Sequence, residues 1–225
     1  MKYLIRVLFL VIMSTNVYAV TPPTLDAIVK LPVEQLHAIE SNGEILYMSK
    51  NGRFVIRGQL TDTWQKKSLD TVDEIQYASS HINVDVMGLP LDEMNTISVG
   101  DGPKQVIVFV DPQCPYCKTF IEEAKPKMDE YTFKLVVVPA LGKKSNHMAK
   151  SLFCASDKSN ALEMLLEQKL GDMPQKETCK TESYDLTLVV AQMFGIRNVP
   201  FFIAPDGRFK PGKGKGFWDW IEQNG

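Results

Sequence analysis

The second half of the chain predicts an α/β fold, in which buried strands alternate with helices. Residues 105–110 and 133–138 are nearly continuous apolar runs, which are typical of strands covered on both faces. Segments with helical spacing of apolar residues lie after these runs, for example at 185–194. Residues 20–66 have a different pattern and predict a smaller α+β domain in front of the larger one.

The chain begins with the three-part pattern of a secretory signal peptide. Lys2 and Arg6 precede an apolar run at 7–13, and a more polar stretch ends at Ala19. We expect cleavage after Ala19 and a mature protein outside the cytoplasm. The alternative is a membrane anchor, but this run is short for a bilayer and the later apolar runs are shorter still. The sequence therefore predicts no membrane span after cleavage, and the net charge of −2 predicts no nucleic-acid partner.

The small domain at 20–66 predicts a helix followed by a hairpin. Residues 25–39 have helical spacing that is interrupted by Pro32. Residues 44–58 form two apolar runs around Asn51-Gly52, which is a strong hairpin signal. Such a small sheet is weakly stable alone, so its edge is expected to pair with a second copy of the chain.

Residues 67–83 are amphipathic and polar, and they predict a linker helix between this domain and a second domain at 84–225. In the second domain, strands are expected at 96–99, 105–110, 133–138 and 199–204. Helices are expected after the second strand, at 146–154, at 160–170, at 185–194 and at 216–223.

Two cysteines stand where the central strand gives way to a helix, in the sequence Cys114-Pro115-Tyr116-Cys117. The N–H groups and dipole of a helix N-terminus favour a thiolate, so Cys114 is the predicted nucleophile. Cys117 lies one turn further along the helix and is the predicted resolving thiol. The alternatives are a structural disulfide and a zinc site, but the strand-to-helix position favours thiol–disulfide exchange.

The chain has four cysteines, which allow more than one pairing. We expect Cys114 to pair with Cys117, and Cys154 with Cys179, because the first pair is local. A static disulfide is the simpler interpretation of Cys154 and Cys179, and a second redox pair is the alternative. The wide spacing of these two residues disfavours a four-thiolate zinc site. We predict neither a metal nor an organic cofactor.

The Val199-Pro200 dipeptide opens a predicted strand, although proline cannot donate to a central ladder. A cis bond would leave the backbone of Val199 free to pair with an extended substrate.

With these motifs, the chain resembles the periplasmic DsbC/DsbG disulfide isomerases over almost all of its mature length. The order of elements in 84–225 is that of a thioredoxin-like domain with helices inserted in its middle. Residues 43–58 resemble the strand pair of the family's cystatin-like N-terminal dimerisation domain, and residues 106–117 resemble its active-site strand and motif. The dipeptide Pro115-Tyr116 is like that of DsbG.

The resemblance also implies roles for residues outside the motif. Cys154 and Cys179 correspond to the family's structural disulfide. Val199-Pro200 falls where the family has a cis-proline that faces the active-site cysteines. Val199 replaces the threonine of DsbC and DsbG and is more like the residue of the oxidase DsbA.

The function implied by the resemblance is a disulfide isomerase and reductase of the periplasm. It would be a homodimer that acts on misfolded or mis-oxidised exported proteins and is kept reduced by a membrane electron donor of the DsbD type. The alternatives are a DsbA-like dithiol oxidase, a DsbG-like reductase of sulfenic acids and, from another class, a holdase chaperone.

Overall fold

A computed structural model describes residues 36–41 and 43–223 of the 225-residue chain. The predicted signal peptide and most of the helix predicted at 25–39 lie outside the described residues. In the described residues, strands and helices alternate along the second half, and a group of short strands precedes them. The predicted α/β character of the second half is therefore confirmed, and the part of the small domain that the structure describes consists of strands.

The first sheet contains three antiparallel strands in the order β1-β2-β3. These are β1 at Leu36–Ser41, β2 at Glu44–Ser49 and β3 at Val55–Arg57. The hairpin β2-β3 was predicted, but the helical interpretation of 25–39 is wrong for its last four residues, which belong to β1. They form a strand because β1 pairs with β2 along its whole length, from Leu36 opposite Ser49 to Ser41 opposite Glu44.

A second, two-stranded hairpin follows, with β4 at Leu60–Asp62 and β5 at Lys67–Leu69. The helix predicted over 67–83 is shorter than expected, because α1 spans Val72–Ser80 and its predicted first residues form β5. Thr71 fixes the start of α1 by accepting a hydrogen bond from the N–H of Glu74. The carboxylate of Glu74 in turn accepts from the N–H of Asp70, so that the two residues cap the helix together.

The second domain is built on a five-stranded sheet in the order β10-β9-β7-β8-β6. Only β7 and β8 are parallel to each other, and the remaining pairs are antiparallel. The strands are β6 at Thr96–Val99, β7 at Lys104–Val110, β8 at Tyr131–Val137, β9 at Phe201–Ile203 and β10 at Phe209–Pro211. The two apolar runs of the sequence are the two central strands, as predicted.

Helices cover both faces of this sheet. The short α2 at Val84–Met87 precedes β6, and α3 at Pro115–Ala124 connects β7 to β8. The insertion between β8 and β9 and the end of the chain contain α4 at Lys143–Phe153, α5 at Ala161–Leu166, α6 at Glu182–Met193 and α7 at Phe217–Glu222.

The alternation of side chains along β7 divides the core between the two faces. Val106, Val108 and Val110 pack with Phe120 of α3 on one face. Ile107 and Phe109 belong to the cluster on the other face. Burial on both faces explains why this strand is apolar at every position from Val106 to Val110. The strand ends at Val110, shortly before Cys114 and Cys117 in the sequence.

Candidate active site

Cys114 is the N-cap residue of α3, at the point where the chain leaves the central strand β7. Its sulfur accepts a hydrogen bond from the backbone N–H of Cys117 at 3.3 Å. Pro115 occupies the first turn of the helix, where its missing N–H leaves no bond unmade. The local sequence therefore starts a helix immediately after Cys114 and directs a backbone donor at its sulfur.

Both sulfurs lie in largely buried residues. Cys114 is 5% exposed and Cys117 is 2% exposed, and both are free thiols in the structure. Burial raises the pKa of the Cys117 thiol well above its ordinary value, and the hydrogen bond with Cys114 raises it further. Cys117 is consequently protonated at neutral pH, and it must lose a proton before it can attack another sulfur.

The loop before β9 brings Val199 to the same place. The Val199–Pro200 peptide bond is cis. The thiol of Cys114 donates to the carbonyl oxygen of Val199, with 3.5 Å between sulfur and oxygen. The structure thus places Cys114, Cys117 and Val199 together, although 85 residues separate Cys114 from Val199. Between the two sulfurs in sequence, Tyr116 is 76% exposed and open to a partner.

Asp111 is a buried carboxylate at the end of β7 that the sequence interpretation did not single out. It is 1% exposed. Its oxygens accept hydrogen bonds from the N–H of Gln113 at 2.7 Å, the N–H of Leu141 at 2.8 Å and the hydroxyl of Ser145 at 2.8 Å. These bonds connect the segment before Cys114 to the loop between β8 and α4, through Leu141, and to the first turn of α4, through Ser145. The sequence contains one signal for the role of Asp111, because an acidic residue stands directly after a buried strand and just before a cysteine pair.

Cys154 and Cys179 form a disulfide bond with a Cα–Cα distance of 5.5 Å. Cys154 is the buried C-cap residue of α4, and Cys179 precedes α6 in a partly exposed segment. The carbonyl of Cys154 also accepts from the N–H of Lys176 at 2.9 Å. Neither residue contacts the sulfurs of Cys114 or Cys117 among the described hydrogen bonds, so the two cysteine pairs occupy different surroundings.

The thioredoxin-like domain model matches residues 91–215, which include the cysteine pair and Val199. The chain belongs to the thioredoxin-like family. Residues 17–71 match the N-terminal domain of the disulfide bond isomerase proteins. The sequence-based resemblance and the predicted fold class are therefore confirmed.

The curated relatives are thiol:disulfide interchange proteins. A probable DsbC of Bordetella avium is 25% identical over 171 residues, which cover 76% of this chain and 59% of the relative. A DsbG of Pseudomonas aeruginosa is 29% identical over 128 residues, which cover 55% and 49% of the two chains. This chain thus spans about three-fifths of the first relative and about half of the second.

A solved structure, the disulfide interchange protein from Neisseria gonorrhoeae, is 25% identical with a TM-score of 0.48, and the match covers 59% of this chain and 96% of that one.

In 36–41 and 43–223, no helix has both the length and the apolar character that crossing a bilayer requires. The same residues contain no group of three or more His, Cys, Asp or Glu side chains arranged to hold a metal ion.

Proposed function

We propose that this protein is a periplasmic thiol–disulfide oxidoreductase that isomerises and reduces wrong disulfides in exported proteins. The observation that carries the proposal is the position of the Cys114 sulfur. It caps α3, accepts a helix N–H, and lies beside the carbonyl of Val199 with Cys117 buried behind it. The names of the DsbC and DsbG relatives support this proposal.

In the first step, the Cys114 thiolate attacks one sulfur of a client disulfide. A bond forms between Cys114 and that sulfur, and the client's other sulfur leaves as a thiolate that takes up a proton. When Cys114 gives up its own proton, the carbonyl of Val199 loses the donor it has in the free protein. That oxygen can then accept an N–H from an extended client backbone.

The mixed disulfide has two fates. If another client thiolate attacks the client sulfur, a new client disulfide forms and Cys114 leaves as a thiolate, so that no net electrons are transferred. If Cys117 attacks Cys114, it loses its proton, a Cys114–Cys117 disulfide forms, and the client leaves as a thiol reduced by two electrons. Burial, the largest cause of the raised pKa of Cys117, disfavours its thiolate and so slows the second route, which favours isomerisation.

A cell that uses this chemistry must return the Cys114–Cys117 disulfide to dithiol. We assign this step to a membrane electron donor of the DsbD type. The predicted signal peptide at 1–19, with cleavage after Ala19, would deliver the mature protein to the periplasm where its clients and this donor meet.

The N-terminal sheet supports assembly into a homodimer. In β3, Val55 is 48% exposed and Ile56 is 42% exposed, and in β1 Leu36 is 52% exposed. β3 pairs only with β2 among the described strands, so its outer edge offers unpaired backbone groups to a second copy. We accordingly assign dimerisation to 20–66, a linker role to 67–83 and catalysis to 84–225.

An interface substitution tests this assignment. Ile56→Lys should shift the protein towards monomer in analytical ultracentrifugation, because it places a charge on β3. Val189→Lys, at another exposed apolar residue, should not.

The deciding experiment for the activity is the redox state of Cys114 and Cys117 in cells, measured by acid trapping and thiol alkylation. A mostly reduced pair, together with recovery of a test protein from scrambled disulfides, is the expected result. Cys114→Ala should abolish this recovery. Full protection of clients by the Cys114→Ala, Cys117→Ala double variant, with no defect in cells, would instead indicate a holdase.

A dithiol oxidase is the second candidate, and Val199 is the observation that favours it. A valine side chain cannot offer the Cys114 sulfur the hydroxyl that a threonine would place there, and the carbonyl is the group of Val199 that hydrogen-bonds it. An oxidase would rest with Cys114 and Cys117 mostly oxidised in cells. Under that outcome, Val199→Thr is the substitution expected to shift the pair towards the reduced form.

A further inference from the structure

The last turn of α5 and the residues after it form a wall of the active site that no motif indicated. A small cavity of about 10 Å³ lies against Cys114 and Cys117. On one side it is lined by Lys118 of α3, and on another by Leu165 and Gln168 at the end of α5. The helical insertion between β8 and β9 therefore supplies part of the surface next to the reacting sulfurs.

Gln168 has an unusual backbone conformation for its residue type. Its φ is +58°, and Lys66 is the other non-glycine with positive φ among the described residues. Gln168 follows the C-cap of α5, where its N–H donates to the carbonyl of Leu165 and the N–H of Lys169 donates to that of Met164. Glycine is the usual residue at this position because it adopts a left-handed conformation without strain. The glutamine side chain at this position therefore carries a cost in backbone strain.

The position of Gln168 suggests a role for its side chain. Gln168 is exposed to solvent and also lines the cavity beside both sulfurs. The hydrogen bond from Lys169 is the main cause of the lowered pKa of Glu167, and the positive charge of Lys118 lowers this pKa further. Lys118 of α3 therefore lies near Glu167, the residue before Gln168. The α3 and α5 sides of the site therefore meet at the protein surface near the cysteines.

We propose that Gln168 contacts the substrate, and that its carboxamide hydrogen-bonds the backbone of the polypeptide whose disulfide Cys114 attacks. The carbonyl of Val199 binds the polypeptide next to the sulfur, and Gln168 binds it from the end of α5. An uncharged amide both donates and accepts, so it matches a peptide group whatever the client's side chains are. This inference rests on the proposed function and adds a second residue besides Val199, at the end of α5, that binds the client backbone.

The test compares two kinds of substrate. Gln168→Met keeps the length of the side chain and the backbone strain but removes the amide. We expect it to lower by about fivefold the rate constant with which the pre-reduced protein reduces a short synthetic peptide closed by one disulfide, because one hydrogen bond is lost. In this single turnover the two electrons come from the Cys114–Cys117 dithiol, which becomes a disulfide. The rate with a small disulfide that lacks peptide groups, 5,5′-dithiobis(2-nitrobenzoate), should stay unchanged.

Gln168→Gly and Lys66→Gly form a matched pair of controls. Both relieve a positive φ, so both should raise the midpoint of urea unfolding. Only Gln168→Gly should also lose activity with the peptide, because Lys66 lies in the turn between β4 and β5. Gln168→Asn, which tolerates this conformation and keeps an amide, should retain part of the peptide activity.

The outcomes separate this inference from the proposed function. If the unsubstituted protein reacts with neither substrate, the proposed function is wrong. If it reacts with both and Gln168→Met behaves identically, or loses the same factor with the peptide and the small disulfide, then Gln168 is not a substrate contact and the inference is overturned. Because Gln168→Met does not depend on relieving strain, it decides the question even if Gln168→Gly does not fold.

Discussion

The two cysteine pairs of this chain are in opposite situations, although all four residues are at least partly buried. Cys114 and Cys117 are free thiols at the start of a helix, and the sulfur of Cys114 has a helix N–H and the carbonyl of Val199 as neighbours. Cys154 and Cys179 are bonded to each other and join the end of α4 to the segment before α6.

The difference shows that burial alone does not decide whether a cysteine is reactive. Cys114 and Cys154 are similarly exposed, at 5% and 6%. They differ in position, because one begins a helix and the other ends one. The partial positive charge at a helix N-terminus favours a thiolate, and the C-terminus does not. We therefore expect chemistry from the first pair and stability from the second.

The largest expected effect is that of Cys114→Ser on activity. Loss of the proposed nucleophile should lower the rate of disulfide exchange by about a thousandfold or more. Serine is a favourable N-cap residue, so α3 should still form and the free energy of unfolding should change little. Exchange assays combined with urea unfolding measure both quantities. Exchange activity near that of the unsubstituted protein would mean that another cysteine is the nucleophile.

The reverse result is expected for the double variant Cys154→Ala, Cys179→Ala. The disulfide closes a loop with a sequence separation of 25. Its loss should lower the free energy of unfolding by about 3 kcal/mol, mainly because the unfolded chain gains freedom. Exchange activity measured well below the unfolding temperature should remain within about twofold of that of the unsubstituted protein, since the pair takes no part in the reaction. A loss as large as that of Cys114→Ser would indicate a second redox pair.

The sequence predicted the parts of the site that depend on local pattern. Residues 105–124 contain the apolar run of β7, the cysteine pair and the helix that follows. Because these features are contiguous in the sequence, they could be predicted as one strand–cysteine–helix motif. The start of α1 was misplaced because β5 is a three-residue strand, too short to show an alternating pattern, and Lys67–Leu69 is held by pairing with β4.

The remaining parts depend on contacts between distant segments. Asp111 acquires its role from Leu141 and Ser145, which lie 30 and 34 residues further along the chain. The contribution of Gln168 depends on the insertion folding back against α3. Residues Leu36–Ile39 were assigned to a helix because their apolar residues have helical spacing. They form a strand because they pair with β2. The Asn42-Gly43 dipeptide in the sequence was the available turn signal.

A smaller effect tests how the active pair is held in place. Asp111→Ala should lower the free energy of unfolding by about 2 kcal/mol, because the N–H groups of Gln113 and Leu141 and the hydroxyl of Ser145 lose their shared acceptor. Ser145→Ala removes one of these bonds and should have about half the effect. Urea unfolding measures both. Equal stability of the two variants and the unsubstituted protein would show that the Asp111 network does not support the cysteine segment.

The smallest expected effect concerns the pH dependence of stability, and it isolates Cys117. Burial raises the pKa of this thiol in the folded protein above its ordinary value, so the folded state holds the proton at a pH where the unfolded chain releases it. The resulting stabilisation is complete below the ordinary pKa of a thiol and is lost as pH rises above it. Between about pH 8 and about pH 10, the reduced protein should lose about 1.5 kcal/mol that Cys117→Ala does not lose.

Urea unfolding of both proteins at several pH values in this range, with Cys114 and Cys117 reduced beforehand, the reductant removed and oxygen excluded, measures that difference. The raised pKa values of Tyr131 and Tyr184 contribute to the pH dependence of both proteins, so their effect cancels. Identical pH dependence of the two proteins would mean that Cys117 ionises as easily in the folded state as in the unfolded chain. The proposed slow resolution by Cys117, and with it the proposed preference for isomerisation over reduction, would then have no physical basis.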